Sequence, residues 1–382
     1  MTDADQPLVG LVGASGAVGA QAARALRGLG RTRLRLGGRR AAPLRALAAE
    51  LGAGAEARPV DLDDAAALAD FCSGCAVVVN CAGPSYRIVD RVARAALAAG
   101  ADYVDVTGDA PVHARLSRDG LAGRRTAVLS AGVLPGLSAL LPRWAARGRL
   151  ERVVAYTGGL ERCTEAAAAD LLLSLPGSAR QAAVFGEPLA VWRAGRRVPR
   201  ALQARDGVRA PFFPEEAFVQ PFLTGEAERL AAALGLREVQ WHTVHPGPRT
   251  RAVLTGAAGR PDGADGATAA RLRAAADLDL AGRTPYYLLV FQLTERVEGK
   301  VRERCLVVRT ADSYRLSGRV AAVAAHEVLR GAVPPGLHYA CDVLDPRTTV
   351  RLLFDDADAG TLHLLDGAAA DGTAAGVEEG AL

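Results

Sequence analysis

The chain has 382 residues, half of them apolar, and 46 Lys and Arg against 42 Asp and Glu, for a net charge of +4. That length and apolar content suit two domains of ordinary size, each with its own core. Arginines are dispersed among carboxylates, which excludes the basic stripe that nucleic-acid binding needs; no basic-then-apolar leader or long uncharged apolar run is read, so no membrane span and a cytoplasmic location are expected.

In chain order, the first predicted element lies in "LVGLVGASGAVGAQAARALRGLG", Leu8 to Gly30: a short apolar run, three equally spaced glycines, then an alanine-rich amphipathic segment. This reads as strand, tight turn and helix, the entry to a βαβ unit. In such a turn Gly13 permits the bend, Gly16 lets backbone approach a pyrophosphate, and Gly19 lets helix pack on strand. The N–H groups at the helix start, among Ser15, Ala17 and Val18, then attract the anion. "RTRLRLGGRR" follows as a second strand ending at Gly37 and Gly38, with Arg39 and Arg40 beyond. An NAD site would carry an Asp or Glu here for the ribose 2′-hydroxyl, whereas arginine accommodates the 2′-phosphate of NADP, so NADP(H) is the expected cofactor.

"PLRALAAELGA" is a helix, and "EARPVDLDDAAALADF" a third strand, with Asp61 at its end, and a third helix. Cys72 and Cys75 form a C-x-x-C with no second ligand pair, so no metal is expected and the thiols read as small buried residues. "AVVVN" is a fourth strand ending in Cys81, Ala82, Gly83 and Pro84. Ligands of open parallel sheets bind beyond the carboxyl ends of the strands, which places Asp61 and this turn beside the cofactor. "DYVDVTGDA" and "TAVLSAGVLPG" are strands five and six. The alternation predicts an α/β fold with a Rossmann-type, doubly wound parallel sheet.

Read together, "GASGAVG", "GGRR", "VVVNCAGPSY", "ADYVDVTGD" and "SAGVLPGLSALL" resemble the saccharopine dehydrogenase-like family of NAD(P)-dependent oxidoreductases. "DSYRLSGRVAAVAAHEVLRGAVPPGLHYACDVLDP" resembles the family's C-terminal helix, PPG turn and final element. The resemblance implies that this closing stretch returns to the nucleotide-binding domain, which becomes discontinuous over residues 1–135 and 312–365. Asp109 stands where the resemblance leads us to expect a longer Glu, and is kept as a candidate substrate contact.

Residues 136–311 change character, with long strand-like segments "ERVVAYTGG", "EVQWHTVHPG", "YYLLVFQLTERVEG" and "KVRERCLVVRT", the last two joined at Glu298-Gly299. They predict an α+β substrate domain with a largely antiparallel sheet, one face covered by helices from "EAAAADLLLSL", "GEAERLAAALG" and "ATAARLRAAADL". It is also the expected homodimerisation domain. Between them, Ala183 to Leu223 lacks clean periodicity and reads either as a lid offering Trp192, Phe212 and Phe213 to substrate or as a hairpin insertion with its own small core. Residues 366–382, alternating Ala, Gly and acid, are expected to be disordered.

The single lysine, Lys300, falls in a hairpin turn, which argues against Schiff-base chemistry. Proton donors are sought in Tyr86, after the fourth strand, in His245, whose neighbour His242 points to the other face of the same strand, and in Glu161 at another strand end. Arg162 is a candidate for holding a substrate carboxylate. The expected function is an NADPH-dependent reductase delivering hydride to an imine, of the saccharopine or opine kind or a cyclic imine in a biosynthetic pathway. The alternatives are an enoyl reductase of the same family and a non-catalytic NADP-binding sensor or scaffold.

Overall fold

The computed structural model describes residues 6–30, 32–121, 123–173, 175, 185–257, 266–355 and 357–367. The chain forms two units, Met1–Trp144 with Ser313–Ala359, and Ala145–Asp312 with Gly360–Leu382.

The first unit alternates strand and helix: β1 (Leu8–Val12), α1 (Ala17–Leu29), β2 (Arg33–Gly38), α2 (Ala41–Leu51), β3 (Ala55–Pro59), α3 (Ala65–Cys72), β4 (Val77–Asn80), α4 (Ser85–Ile88), α5 (Arg91–Ala98), β5 (Asp102–Asp105), α6 (Ala110–Asp119), β6 (Thr126–Leu129) and α7 (Leu137–Ala145). Strands β1, β4 and β6 are buried throughout, which is why they are short apolar runs and not alternating ones.

The second unit runs β7 (Arg149–Leu160), α8 (Glu165–Leu173), β8 (Gly186–Pro188), β9 (Val191–Arg193), β10 (Arg196–Val198), β11 (Arg205–Val208), β12 (Ala217–Thr224), α9 (Gly225–Leu234), β13 (Glu238–His245), α10 (Pro248–Ala257), α11 (Gly266–Leu280), β14 (Tyr286–Val297) and β15 (Lys300–Thr310). The chain then returns through α12 (Ser313–Leu329), β16 (Gly336–Tyr339), α13 (Ala340–Val343) and α14 (Pro346–Phe354) to the first unit, and ends in β17 (Thr361–Asp366) in the second.

The first unit's seven-stranded sheet has the order β16-β6-β5-β4-β1-β2-β3. Every pairing in it is parallel. The order reverses between β1 and β4, the crevice where doubly wound sheets take their ligands. The closing segment completes this unit: β16 adds the outer strand beside β6. Helix α12 packs on α1 so closely that a Cβ on Gly318 would lie 2.6 Å from the Ala22 nitrogen and 2.7 Å from the Val18 oxygen.

The second unit is built on a ten-stranded mixed sheet. Its central strand β7 pairs antiparallel with β14 but parallel with β13. The β14–β15 hairpin turns at Glu298 and Gly299, both left-handed with φ of 47° and 76°, as a two-residue hairpin loop requires. Helices α9 and α10 pack on β13, and α11 on β7.

Four details go beyond the sequence reading. Helix α7 belongs to the first unit, where Arg143 pairs with Asp342 at 2.8 Å, so the division falls after Trp144. Strand β17 pairs antiparallel with β15, which assigns Thr361–Asp366 to the second unit. The irregular segment contains strands β8 to β12, including a β9–β10 hairpin turning at Ala194 and Gly195, and Phe212 and Phe213 join a core with Ala217, Val219 and Tyr286. The part of the proposed disordered tail after Gly367 lies outside the described residues.

Candidate cofactor site

The glycine loop spans the reversal point. The Ala14 N–H donates to Gly37 O at 2.9 Å at the end of β2, and the Cys81 N–H to Val12 O at 2.9 Å at the end of β4. The three glycines have separate reasons to be there. Gly13 has φ of +75°, and a Cβ on it would lie 2.7 Å from the Ala82 nitrogen. A Cβ on Gly19 would lie 2.8 Å from Ala14 Cα, inside the contact between α1 and the loop. Gly16, at the N-cap of α1, has ordinary extended backbone (φ −78°, ψ 170°), and a Cβ there would approach only Gly13 O, at 3.1 Å. So the fold itself asks for glycine at 13 and 19, while the space over Gly16 is left open.

That open space has the chemistry of an anion cradle. Gly16 and Ala17 are exposed, Ser15 and Val18 half-buried, and the first turn of α1 carries no acid to neutralise its partial positive charge. Beyond β2, Arg39 and Arg40 are exposed, and among the described residues their side chains make no hydrogen bond or ion pair. Ser15 lies toward the same strand end, its hydroxyl 3.7 Å from the Cβ position of Gly38. Exposed Asp61 is engaged locally, accepting from the Asp63 N–H at 3.0 Å. The arrangement suits a dinucleotide carrying a 2′-phosphate: pyrophosphate at the glycine loop, free guanidinium groups at the end of β2.

Across the crevice, Cys81, Ala82, Gly83 and Pro84 lead into α4, which carries half-buried Tyr86 with the Arg87 guanidinium 5.7 Å from its ring centre. Behind this turn is a buried network that the sequence reading missed. Asn80 Oδ1 accepts from the Ala82 N–H at 3.1 Å, and Asn80 Nδ2 donates to Asp105 Oδ2 at 3.1 Å. Asp105 also accepts from the Tyr103 hydroxyl and from the N–H groups of Thr107 (3.0 Å) and Gly108 (2.8 Å). Tyr103 is fully buried, and burial beside Asp105 raises its phenol pKa well above the ordinary value. The residues meet through strand register, with Val78 beside Tyr103 and Asn80 beside Asp105. Asp109 is buried at the start of α6.

The remaining candidates belong to the second unit. Glu161 and Arg162 follow β7, and His245 ends β13, so all three stand at the carboxyl ends of two parallel strands. Arg162 is exposed, and Thr164 caps α8 by accepting from the Ala167 N–H at 3.2 Å. His242 stacks on Tyr156 with ring centres 4.9 Å apart, and its Nε2 is 3.3 Å from Gln240 Oε1. His245 stacks on Phe218 at 6.2 Å, and its Nε2 is buried without a hydrogen-bond partner. Burial pushes the pKa of both imidazoles down to about 4, so both rings are neutral at pH 7. Among the described residues no group of His, Cys, Asp and Glu is placed to hold a metal, and no helix is long and apolar enough to cross a membrane.

Residues 9–127 match the family model of the saccharopine dehydrogenase NADP binding domain. Among solved structures, the chain is similar to apo histidine-tagged saccharopine dehydrogenase (L-Glu forming) from Saccharomyces cerevisiae, with 17% identity, 95% of this chain and 100% of that chain covered, and a TM-score of 0.68. It also matches a putative myo-inositol dehydrogenase from Sinorhizobium meliloti at 13% identity, covering 93% and 95% of the two chains with a TM-score of 0.44. No curated protein matches the sequence.

Proposed function

We propose that the chain, whose residues 9–127 match an NADP binding domain, is a saccharopine dehydrogenase-like oxidoreductase that reduces a C=N bond, of the saccharopine or opine kind or in a cyclic imine. NADPH supplies the hydride. The chain's own residues then have three tasks. The glycine loop and the N-terminus of α1 hold the pyrophosphate; Arg39, with Arg40, takes the 2′-phosphate; the second unit serves as substrate and self-association domain, with Arg162 as partner for a substrate carboxylate.

The observation that favours an imine over an enoyl substrate is the state of the histidines. With both pKa values near 4, neither His242 nor His245 is an imidazolium acid at neutral pH. An imine arrives already protonated on nitrogen, so hydride addition to its carbon completes the amine with no further proton, whereas an enoyl substrate needs a proton at carbon and a site for the oxyanion. Tyr86, Glu161 and Asp109 remain the groups on which to test proton delivery by substitution. The deciding assay follows NADPH absorbance with an amino acid plus a 2-oxo acid, with a cyclic imine, and with an enoyl thioester. We expect oxidation with one of the first two. Turnover of the enoyl compound alone would replace this reading, and NADPH binding with no turnover of any would favour the sensor or scaffold.

A further inference from the structure

We propose that Asp105, acting through Asn80, is a positioning residue for the cofactor: it fixes the Cys81–Pro84 turn in its binding geometry before NADPH arrives. This rests on reading the glycine loop as the NADP(H) cradle. The turn and the loop share a wall, because the Gly13 Cβ position would lie 2.7 Å from the Ala82 nitrogen and 2.8 Å from the Cys81 carbonyl carbon. A shift of Ala82 therefore moves or releases Gly13.

The Ala82 N–H is held by Asn80 Oδ1, and the Asn80 amide is held by Asp105 Oδ2. Asp105 is itself held from several sides. The Thr107 and Gly108 N–H groups approach Oδ1, and the Tyr103 hydroxyl donates to Oδ2. Gly108 presses against the carboxyl, its Cβ position 2.7 Å from Asp105 Cγ. Asp105 is 1% exposed and Asn80 3%. A buried carboxylate saturated by donors has little freedom to turn, so the amide it orients is fixed and so is the turn that the amide holds. A carboxylate at the carboxyl end of the sheet otherwise adds negative charge next to an anion-binding crevice. Here that charge is spent on neighbouring N–H and O–H donors, one strand removed from β4.

The test compares two ligands on the full chain. NADPH spans the turn and the glycine loop, whereas adenosine 2′-monophosphate carries the adenosine and the 2′-phosphate but no phosphate for the glycine loop. Asn80→Ala should weaken NADPH binding about tenfold and leave the monophosphate within about twofold of wild type. Asn80→Ser, which restores an oxygen acceptor for the Ala82 N–H, should recover part of the loss, and Asp105→Asn should behave like Asn80→Ala. Equal weakening of both ligands would show a merely structural role, and unchanged NADPH affinity would overturn the inference while leaving the cofactor reading intact. Wild type that binds neither ligand would overturn both. A measurement on wild type alone guards against unstable variants: the Ala82 amide should exchange slowly with solvent in the cofactor-free protein as well as with NADPH. Fast exchange without cofactor would mean that the turn is not set in advance.

Discussion

Placing a side chain at Gly16 should separate cofactor binding from folding. In Gly16→Val the backbone stays in an extended conformation open to any residue, and the new Cβ meets only Gly13 O at 3.1 Å. The cost to the fold is then close to that of a poorer N-cap, about 1 kcal/mol. The two methyl groups occupy the space over the helix start. Displacing a pyrophosphate from two N–H donors there removes about 1.5–3 kcal/mol for each charge-assisted bond, which weakens NADPH more than about a hundredfold. Gly19→Ala is the opposite case. Its Cβ meets the backbone of Gly13 and Ala14, so no side chain can yield, and the fold should lose about 3 kcal/mol. Thermal melts of the cofactor-free proteins and NADPH titration by fluorescence read the two effects separately. Gly16→Val that binds NADPH within about threefold of wild type, or that melts as early as Gly19→Ala, would refute the reasoning.

Arg39→Ala should narrow the preference for NADPH over NADH by about 5- to 30-fold, discounted for an exposed and salt-screened contact, with Arg40→Ala having the smaller effect; dissociation constants for both cofactors check this, and an unchanged ratio would remove Arg39 from the 2′-phosphate site. His245 bears on acid stability. Its folded pKa of about 4 lies below the ordinary 6.5, so the fold favours the neutral ring. That stabilisation is complete above pH 6.5 and is lost as pH falls toward 4. The melting temperature of His245→Gln should accordingly fall less than that of wild type between pH 7 and 4.5. A chain ending at Thr310 lacks α12 and β16 and should lose NADPH binding and solubility together, whereas one ending at Gly367 should keep both. A soluble, binding fragment ending at Thr310 would contradict the role of the closing segment.

The first sheet was legible because each buried parallel strand is a short apolar run with a glycine or proline turn behind it, and because Gly13, Gly16 and Gly19 mark one turn. Helix α10 was missed: "PRTRAVLTGA" opens on Pro and two Arg and shows only a narrow buried stripe, Leu254 and Ala257. The hairpin in the irregular segment was offered as one of two readings but not placed, because β9 and β10 are rich in arginine and Ala194 takes φ of +51° without being a usual turn residue. Strand β17 was not read: residues up to 365 were given to the first domain and Asp366 to the tail, since nothing local says that Thr361–Asp366 pairs with β15. The same limit concealed the network behind the crevice. Asn80, Tyr103 and Asp105 meet through the register of β4 and β5, which is a property of two strands and not of either. The environments of His242 and His245 were likewise invisible, because burial that lowers an imidazole pKa comes from packing.

The path of the chain also sets an order of completion. It crosses between the units after Trp144, Asp312 and Ala359, so synthesis delivers six strands of the first sheet and then a long insertion before β16 can cover the edge of β6. Until then β6 has an open backbone edge, although its residues are all apolar or buried in the finished protein. The second sheet waits as well, since β17 emerges after every other described strand. Sealing of both edges late in translation makes the partly made chain the form most exposed to misassembly, and pairing of such distant segments slows folding of each unit.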